Sequence, residues 1–366
     1  MHGSVHGGPW QDIPMQEVTA AAGQLLYADV VQNDRNKNSS VSGSHLLEFV
    51  ITDRLGSWEK PSYGGNFVIT GPGRYKVEGG AIQTVSGPAI MVVSDLDGTM
   101  VGDDVATAAF REFWVSTGAV RGGVLVYNTG RSLQSFEQLL KDKAHCMAAP
   151  DALISAVGTK VYQRQLLPGS STKGGEWEED AEWSKQLDEG WDVQAVREAG
   201  YKALSQVGKD AMHFRPPEEQ NIHKVTCGVN VSVLDSVLAC IKDSLATSSV
   251  KANVITSGHG EWRYLDLVPM KAGKLEALEY VRKLHNFPIS STVACGDSGN
   301  DILMLAGKNP AIVVGNAQPD LMQWVQEQQK QSVESRGNSN DVRRLFVASK
   351  PEALGILEGL KAHGFV

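Results

Sequence analysis

An unbroken apolar run, Ala89-Ile90-Met91-Val92-Val93-Ser94, leads directly into Asp95-Leu96-Asp97-Gly98-Thr99. A run of strand length with no polar alternation predicts a strand covered on both faces, as in a parallel sheet flanked by helices. Successive side chains of an extended segment alternate, so Asp95 and Asp97 point the same way, beyond the strand's carboxyl end. Open α/β sheets bind ligands at that end. Gly98 lets the chain turn away sharply. Two carboxylates so placed suit a cation together with a nucleophile and an acid. The same residues also suit an Asx-turn closing a strand, and the pentapeptide alone leaves both readings open.

Beyond this strand the chain keeps a β-then-α rhythm. A helical stripe over 104–116 leads to strand 123–127, helix 132–143 and strand 153–157. The rhythm resumes with helix 274–284, strand 292–295, helix 300–306 and strand 311–314, then a last helix over 351–363 capped by Ser349. Alternation in two separated stretches predicts an α/β fold, a Rossmann-like parallel sheet with helices on both faces. The residues between differ in character: Trp177, Trp183 and Trp191, a Gly/Ser loop over 169–175, and strands around 225–233 predict an inserted α+β cap. Before residue 88, glycine-divided runs at 47–52, 66–70 and 74–77 predict a small N-terminal β region, and 33–40 reads as loop. The expected organisation is therefore 1–88, a core of 89–158 with 256–366, and a cap of 159–255.

Three further motifs fall at predicted strand ends. Thr129-Gly130-Arg131 offers a hydroxyl and backbone N–H groups to an anion; a Thr helix cap is the plainer reading. Lys274 opens a helix after Leu265-Asp266-Leu267-Val268-Pro269, where an isolated lysine is ordinarily solvated. Gly296-Asp297-Ser298-Gly299-Asn300-Asp301 is an acidic turn that could simply cap a helix.

Composition narrows the function classes. With 34 Lys+Arg against 42 Asp+Glu, a net charge of −8 and no basic block, the chain is not built to neutralise a nucleic acid. No apolar run reaches the roughly 18 residues of a membrane span. Cys146, Cys227, Cys240 and Cys295 are widely spaced, which predicts free thiols rather than a zinc site. Met1 to Trp10 has no signal-peptide pattern. A cytoplasmic location is expected, or a plastid if the N-terminus is truncated.

Taken together and in this order, the four loops resemble the motifs of the haloacid dehalogenase-like phosphatase superfamily, over about residues 89–366. Within it, the chain is similar to the sucrose-phosphate phosphatase family. The likeness is carried by Ile154-Ser155-Ala156-Val157-Gly158-Thr159, Gln220-Asn221-Ile222-His223-Lys224-Val225, Ala272-Gly273-Lys274 and Val314-Gly315-Asn316-Ala317-Gln318. Leu275 stands where that family usually has glycine, and the segment 258–263 is longer than usual. Residues 49–67 faintly resemble the last strands of starch-binding carbohydrate modules, which makes Trp58 a candidate glucan-stacking residue.

The resemblance implies a Mg²⁺-dependent sugar-phosphate phosphatase, with sucrose 6-phosphate as the first candidate substrate. Asp95 would be the nucleophile and Asp97 the acid and base. The Asp95 carboxylate, the Asp97 carbonyl and Asp297 would hold Mg²⁺. Thr129, Gly130, Lys274 and Asn300 would hold the phosphoryl group. Thr99 and Asp301 would support them, Asp301 and Asn300 orienting the metal shell and Lys274. Lys224 and His223 are candidate contacts for sugar hydroxyls, and the three cap tryptophans are stacking candidates that would more often be core. A different sugar, such as glucosylglycerol phosphate, stays open, as does an inactive carbohydrate-binding or regulatory protein. Glucan could bind through the N-terminal region; nucleic acid and membrane are not expected partners.

Overall fold

Parallel strands covered by helices on both sides form the centre of the structure, a computed structural model that describes residues 2–5, 11–12, 16–20, 23–27, 47–52, 58–69, 75–164, 177–258, 260–334 and 344–366. The large sheet runs Trp177–Glu179, Lys160–Arg164, Ala152–Ser155, Val124–Asn128, Met91–Ser94, Thr292–Gly296, Ala311–Val313 and Leu345–Val347. The six strands from Ala152–Ser155 to Leu345–Val347 are parallel, and the two at the other edge are antiparallel. The chain leaves the central Met91–Ser94 strand toward one edge and later returns on its other side with Thr292–Gly296. Between those two strands lies the topological switch point, where doubly wound sheets open a ligand crevice.

The apolar run at 91–94 is buried throughout, as its lack of alternation predicts. Val92 joins a core with Phe110, Leu125, Phe136 and Ile356. Met91 and Val93 face the opposite core, with Leu278, Val281, Leu305 and Leu321. Helices Asp104–Phe113, Leu133–Asp142 and Glu352–Ala362 supply the first layer; Lys274–Leu284, Ile302–Leu305 and Pro319–Glu334 supply the second.

A smaller antiparallel sheet is ordered Met212–Phe214, Val225–Asn230, Trp262–Pro269 and Ala252–Ser257. Val225, Cys227, Val229, Leu265 and Leu267 pack under helices Val193–Val207 and Leu234–Ser248. By strand alternation the other face carries Thr226, Asp266 and Ile255, and Ile255 packs against the large sheet's core. The Ala252–Ser257 strand touches the Gly299–Asp301 turn, so this face lies over the large sheet's switch point.

Several expectations meet a different arrangement. Lys160–Arg164, Trp177–Glu179 and helix Ala181–Leu187, grouped by composition with the insert, pair or pack with the large sheet. Trp262–Pro269, grouped with the core, is central to the small one. Trp177 lies 5.7 Å from the Phe136 ring, edge-on, and Trp183 is buried 4.9 Å from Tyr280, so both serve the large sheet's packing. Trp191 packs in the small sheet's core and donates to the Ile222 carbonyl.

The strand expected over 153–157 stops at Ser155. Ala156, Val157 and Gly158 instead have φ of 51°, 62° and 79°, reversing the chain into the antiparallel Lys160–Arg164 strand. The β-branched Val157 reads locally as strand; the reversal overrides it. Ser349 does not cap the last helix, whose N-cap is Pro351; its Oγ donates to Glu358 instead.

In the N-terminal region, strands His2–Val5, Gln11–Asp12, Leu47–Thr52, Trp58–Glu59 and Phe67–Ile69 form one sheet. Its core is Leu47, Phe49 and Phe67. The strands before residue 28 were not legible in that polar stretch. The loops expected at 33–40 and 169–175 and the Trp58 side chain lie outside the described residues.

Candidate active site

Asp95 and Asp297 follow the two strands that flank the switch point, so the large sheet's register alone makes them neighbours. The Asp95 N–H extends that pairing by donating to the Cys295 carbonyl at 3.0 Å. Asp301 joins them: one carboxylate oxygen of each of Asp95, Asp297 and Asp301 lies within 4.8 Å of the others, and all three residues are buried.

Lys274 enters from the start of its helix and is 4% exposed. Its ammonium donates to Asp95 Oδ1 at 2.6 Å, Asp301 Oδ1 at 2.7 Å and Asn300 Oδ1 at 3.3 Å. The Asn128 side-chain amide holds the Lys274 carbonyl at 2.8 Å. Burial alone would lower the lysine's pKa, but Asp301 and Asp95 hold it above its ordinary value.

Thr99 Oγ1 donates to Asp297 Oδ1, and Gln318 N–H donates to the Asp297 carbonyl. Asp301 Oδ2 accepts from the backbone N–H groups of Asp297 and Ser298, both at 3.1 Å, in a capping box. The capping reading of this turn is thus correct for Asp301, while Asp297 faces the other carboxylates. Gly98 has φ +82°, and a Cβ there would come within 2.7 Å of Asp297 Oδ2. Only glycine lets the Asp95–Thr99 loop pass this close to the second acidic loop.

Three buried carboxylates against one ammonium leave uncompensated negative charge. Burial raises Asp297 to about 6, with Asp301 adding to the rise and the Thr99 hydrogen bond opposing it. Burial raises Asp95 as well, against the pull of Lys274. An all-oxygen donor set with surplus negative charge fits a hard divalent cation, and burial of the unpaired charge makes such a cation strongly favourable.

Asp97 lies apart from this cluster. Its side chain is 55% exposed and forms a bidentate pair with Arg131, both contacts at 2.7 Å. Any share it has in a cation site falls to its backbone, not its carboxylate. Thr129 is buried and its Oγ1 accepts from the Arg131 N–H at 3.2 Å. It is not a helix cap; Ser132 caps Leu133–Asp142. Gly130 is exposed at the mouth, where a Cβ would meet only Val157 Cγ2 at 3.9 Å.

Lys224 lies on the small sheet's inner side, 5% exposed, 3.3 Å from the equally buried Asp266. Thr226 Oγ1 is buried there without a hydrogen-bond partner among the described residues. His223 Nε2 pairs with Asp188 at 2.7 Å. Arg131, Asn316 and Gln318 stand inside recognisable sequence motifs, but nothing in their local pattern assigns them contacts. The structure shows Arg131 holding Asp97, Gln318 holding Asp297, and Asn316 Nδ2 donating to the Gly98 carbonyl at 2.8 Å.

The chain is similar to Sucrose-phosphatase 1 of Nicotiana tabacum, 29% identical over 287 residues, covering 76% of this chain and 60% of that protein. The chain spans about 60% of the length of the curated plant relatives it matches. It is 26% identical to the mannosylfructose-phosphate phosphatase of Agrobacterium fabrum, over 76% of this chain and 98% of that one. Among solved structures, the sucrose-phosphatase of Synechocystis in complex with sucrose and phosphate aligns with a TM-score of 0.60 and 28% identity, covering 76% of this chain and 99% of that chain. Residues 88–364 match the family described as sucrose-6F-phosphate phosphohydrolase, and the chain belongs to that family.

Proposed function

We propose that the chain is a Mg²⁺-dependent sugar-phosphate phosphatase that hydrolyses sucrose 6-phosphate. The observation that carries this reading is the buried grouping of Asp95, Asp297 and Asp301 around Lys274 at the carboxyl ends of two central strands. A phosphate ester is an anion approaching an anionic nucleophile, so the site must supply positive charge. Bound Mg²⁺ would be held by the Asp95 and Asp297 carboxylates and the Asp97 carbonyl, and would neutralise charge on the phosphoryl oxygens.

Asp95 attacks phosphorus, forming an aspartyl-phosphate as the bond to the sugar oxygen breaks. Asp97 gives its proton to that oxygen, and the sugar leaves. Asp97 then takes a proton from a water that attacks the same phosphorus, releasing phosphate and restoring Asp95. Lys274, with Asn300 beside it and Thr129 and Gly130 opposite, stabilises the oxygens in both transfers. Asp301 keeps Lys274 charged and aimed, and Thr99 does the same for Asp297.

The small sheet is the specificity unit. Its topology supports a cap of about residues 188–272, narrower at its start and longer at its end than composition suggests. Lys224 and the unpartnered Thr226 hydroxyl face the side from which the sugar would enter. A second reading keeps the chemistry and changes the sugar to another disaccharide phosphate, favoured by the nearly full-length match to mannosylfructose-phosphate phosphatase. Cytosol is the proposed location; no helix among the described residues is long and apolar enough to cross a membrane. Glucan binding by the N-terminal sheet rests on its faint sequence resemblance alone.

Phosphate release from a panel of sugar phosphates, with and without Mg²⁺, tests the reading. Turnover of sucrose 6-phosphate that needs Mg²⁺ and is abolished by Asp95→Asn is expected. No turnover of any substrate would return the chain to the inactive-binder class.

A further inference from the structure

Arg131 is held through its backbone and through all three guanidinium nitrogens. Its N–H donates to Thr129 Oγ1 at 3.2 Å, and its carbonyl accepts from the Ala156 N–H at 2.9 Å. One terminal nitrogen donates to Ser135 Oγ at 3.0 Å. The remaining edge of the guanidinium, Nε with the other terminal nitrogen, meets both Asp97 oxygens at 2.7 Å. A planar fork on a carboxylate fixes its distance and also its rotation.

Stability does not account for this arrangement. The two side chains are 32% and 55% exposed, and ion pairs so open to water add little to a fold. The pair instead links two loops with separate tasks. Arg131 belongs to the loop of Thr129, and Asp97 to the loop of Asp95, on neighbouring parallel strands. The Asp97 backbone is fixed by its bridge to Val101, but its carboxylate is 55% exposed and, among the described residues, Arg131 is the side chain that holds it.

We propose that Arg131 is a positioning residue for the acid–base step: its fork brackets the Asp97 carboxyl group so that the oxygen site carrying the transferable proton faces the leaving sugar oxygen. The inference rests on the acid–base role proposed above for Asp97. An ionised carboxylate offers about four acceptor sites. The fork takes one on each oxygen; of the sites left free, one carries the proton given to the leaving oxygen and later takes a proton from the attacking water. Arg131 does not touch the reacting atoms; it acts through Asp97.

Leaving-group dependence separates this role from phosphate binding. An alkoxide leaving from a sugar phosphate needs a proton, whereas p-nitrophenolate leaves readily without one. Arg131→Ala should lower kcat on sucrose 6-phosphate about 10²-fold, the size expected when a reacting group is misplaced by about 1 Å. The burst of p-nitrophenolate from p-nitrophenyl phosphate, a half-reaction that needs neither the acid nor the base, should keep its wild-type rate and concentration dependence, which also reports an intact fold. Arg131→Lys keeps the charge but not the fork, and should resemble the alanine variant. Equal losses in sucrose 6-phosphate turnover and in the p-nitrophenolate burst would overturn the proposal, because they would assign Arg131 to the phosphoryl group or to the fold. No loss on either substrate would overturn it as well. Asp97→Asn provides the separation: selective loss there with none at Arg131 fails the bracket alone, whereas full activity of Asp97→Asn on both substrates fails the acid–base reading and the bracket with it.

Discussion

Thr99 Oγ1 donates a 2.7 Å hydrogen bond to Asp297 Oδ1, joining residues 198 apart in sequence at the buried meeting point of the two acidic loops. The hydroxyl holds one carboxylate oxygen and leaves the other beside Gly98, where Gln318 Nε2 lies 3.5 Å away. Thr99→Val keeps the side chain's shape and deletes the donor. Divalent-cation affinity, measured by titration calorimetry with Mg²⁺ or Mn²⁺, should fall about 10- to 100-fold, as when other groups that orient a metal ligand are removed. Unchanged affinity would remove Thr99 from the metal's support.

The cluster also links stability to pH. Asp297 is raised from 3.8 to about 6, and Asp95 is raised with it. The folded protein therefore holds protons that the unfolded chain releases, so stability declines as pH rises from about 4 through 6. For Asp297 alone the loss is about 3 kcal/mol at most. A cation on the ionised cluster offsets it, so Mg²⁺ should raise Tm clearly at about pH 7.5 and hardly at about pH 4.5. Equal shifts at both values would show that the carboxylates do not bind the ion.

Asp95→Asn separates chemistry from folding. Lys274 keeps Asp301 at 2.7 Å, and one of three crowded carboxylates disappears. Turnover should fall by about 10³-fold or more. Stability without Mg²⁺ should hold or rise by about 1 kcal/mol, because relief of repulsion outweighs one lost lysine contact. A collapsed variant would mean that the carboxylate is structural.

Lys224 and Asp266 should behave in the opposite sense. Each is 5% exposed or less, so Lys224→Ala strands a buried carboxylate. Chemical denaturation should show a loss of about 3–5 kcal/mol, and the double change Lys224→Met with Asp266→Leu should recover most of it. The recovered protein should still show a raised KM for sucrose 6-phosphate. A normal KM would take Lys224 out of sugar recognition.

The parallel core was legible because it depends on short-range pattern: an apolar run at 91–94, helical stripes, and acidic residues immediately after strands. Asp95, Lys274, Asp297 and Asp301 were legible for the same reason, each sitting at an element boundary. The direction of the Asp97 side chain was not, since i and i+2 share a face only while the backbone stays extended, and the turn at Gly98 begins at once. The partition of the insert was also hidden. Whether Trp177 pairs into one sheet or another is decided by partners in other segments, such as Arg164 beside it, and local composition carries no trace of that choice.

The left-handed turn at Ala156, Val157 and Gly158 reaches several of these parts at once. The Val157 N–H donates to the Thr129 carbonyl, and a Cβ on Gly158 would lie 2.3 Å from the Gly273 carbonyl oxygen. Asn221, near the start of the small sheet, donates to Thr159 Oγ1 at 3.0 Å. The Thr129 loop, the backbone that launches Lys274 and the approach to the small sheet thus rest against one short piece of strained chain. It is a single point of failure: a methyl group added at Gly158 would disturb all three together, although the glycine has no side chain of its own.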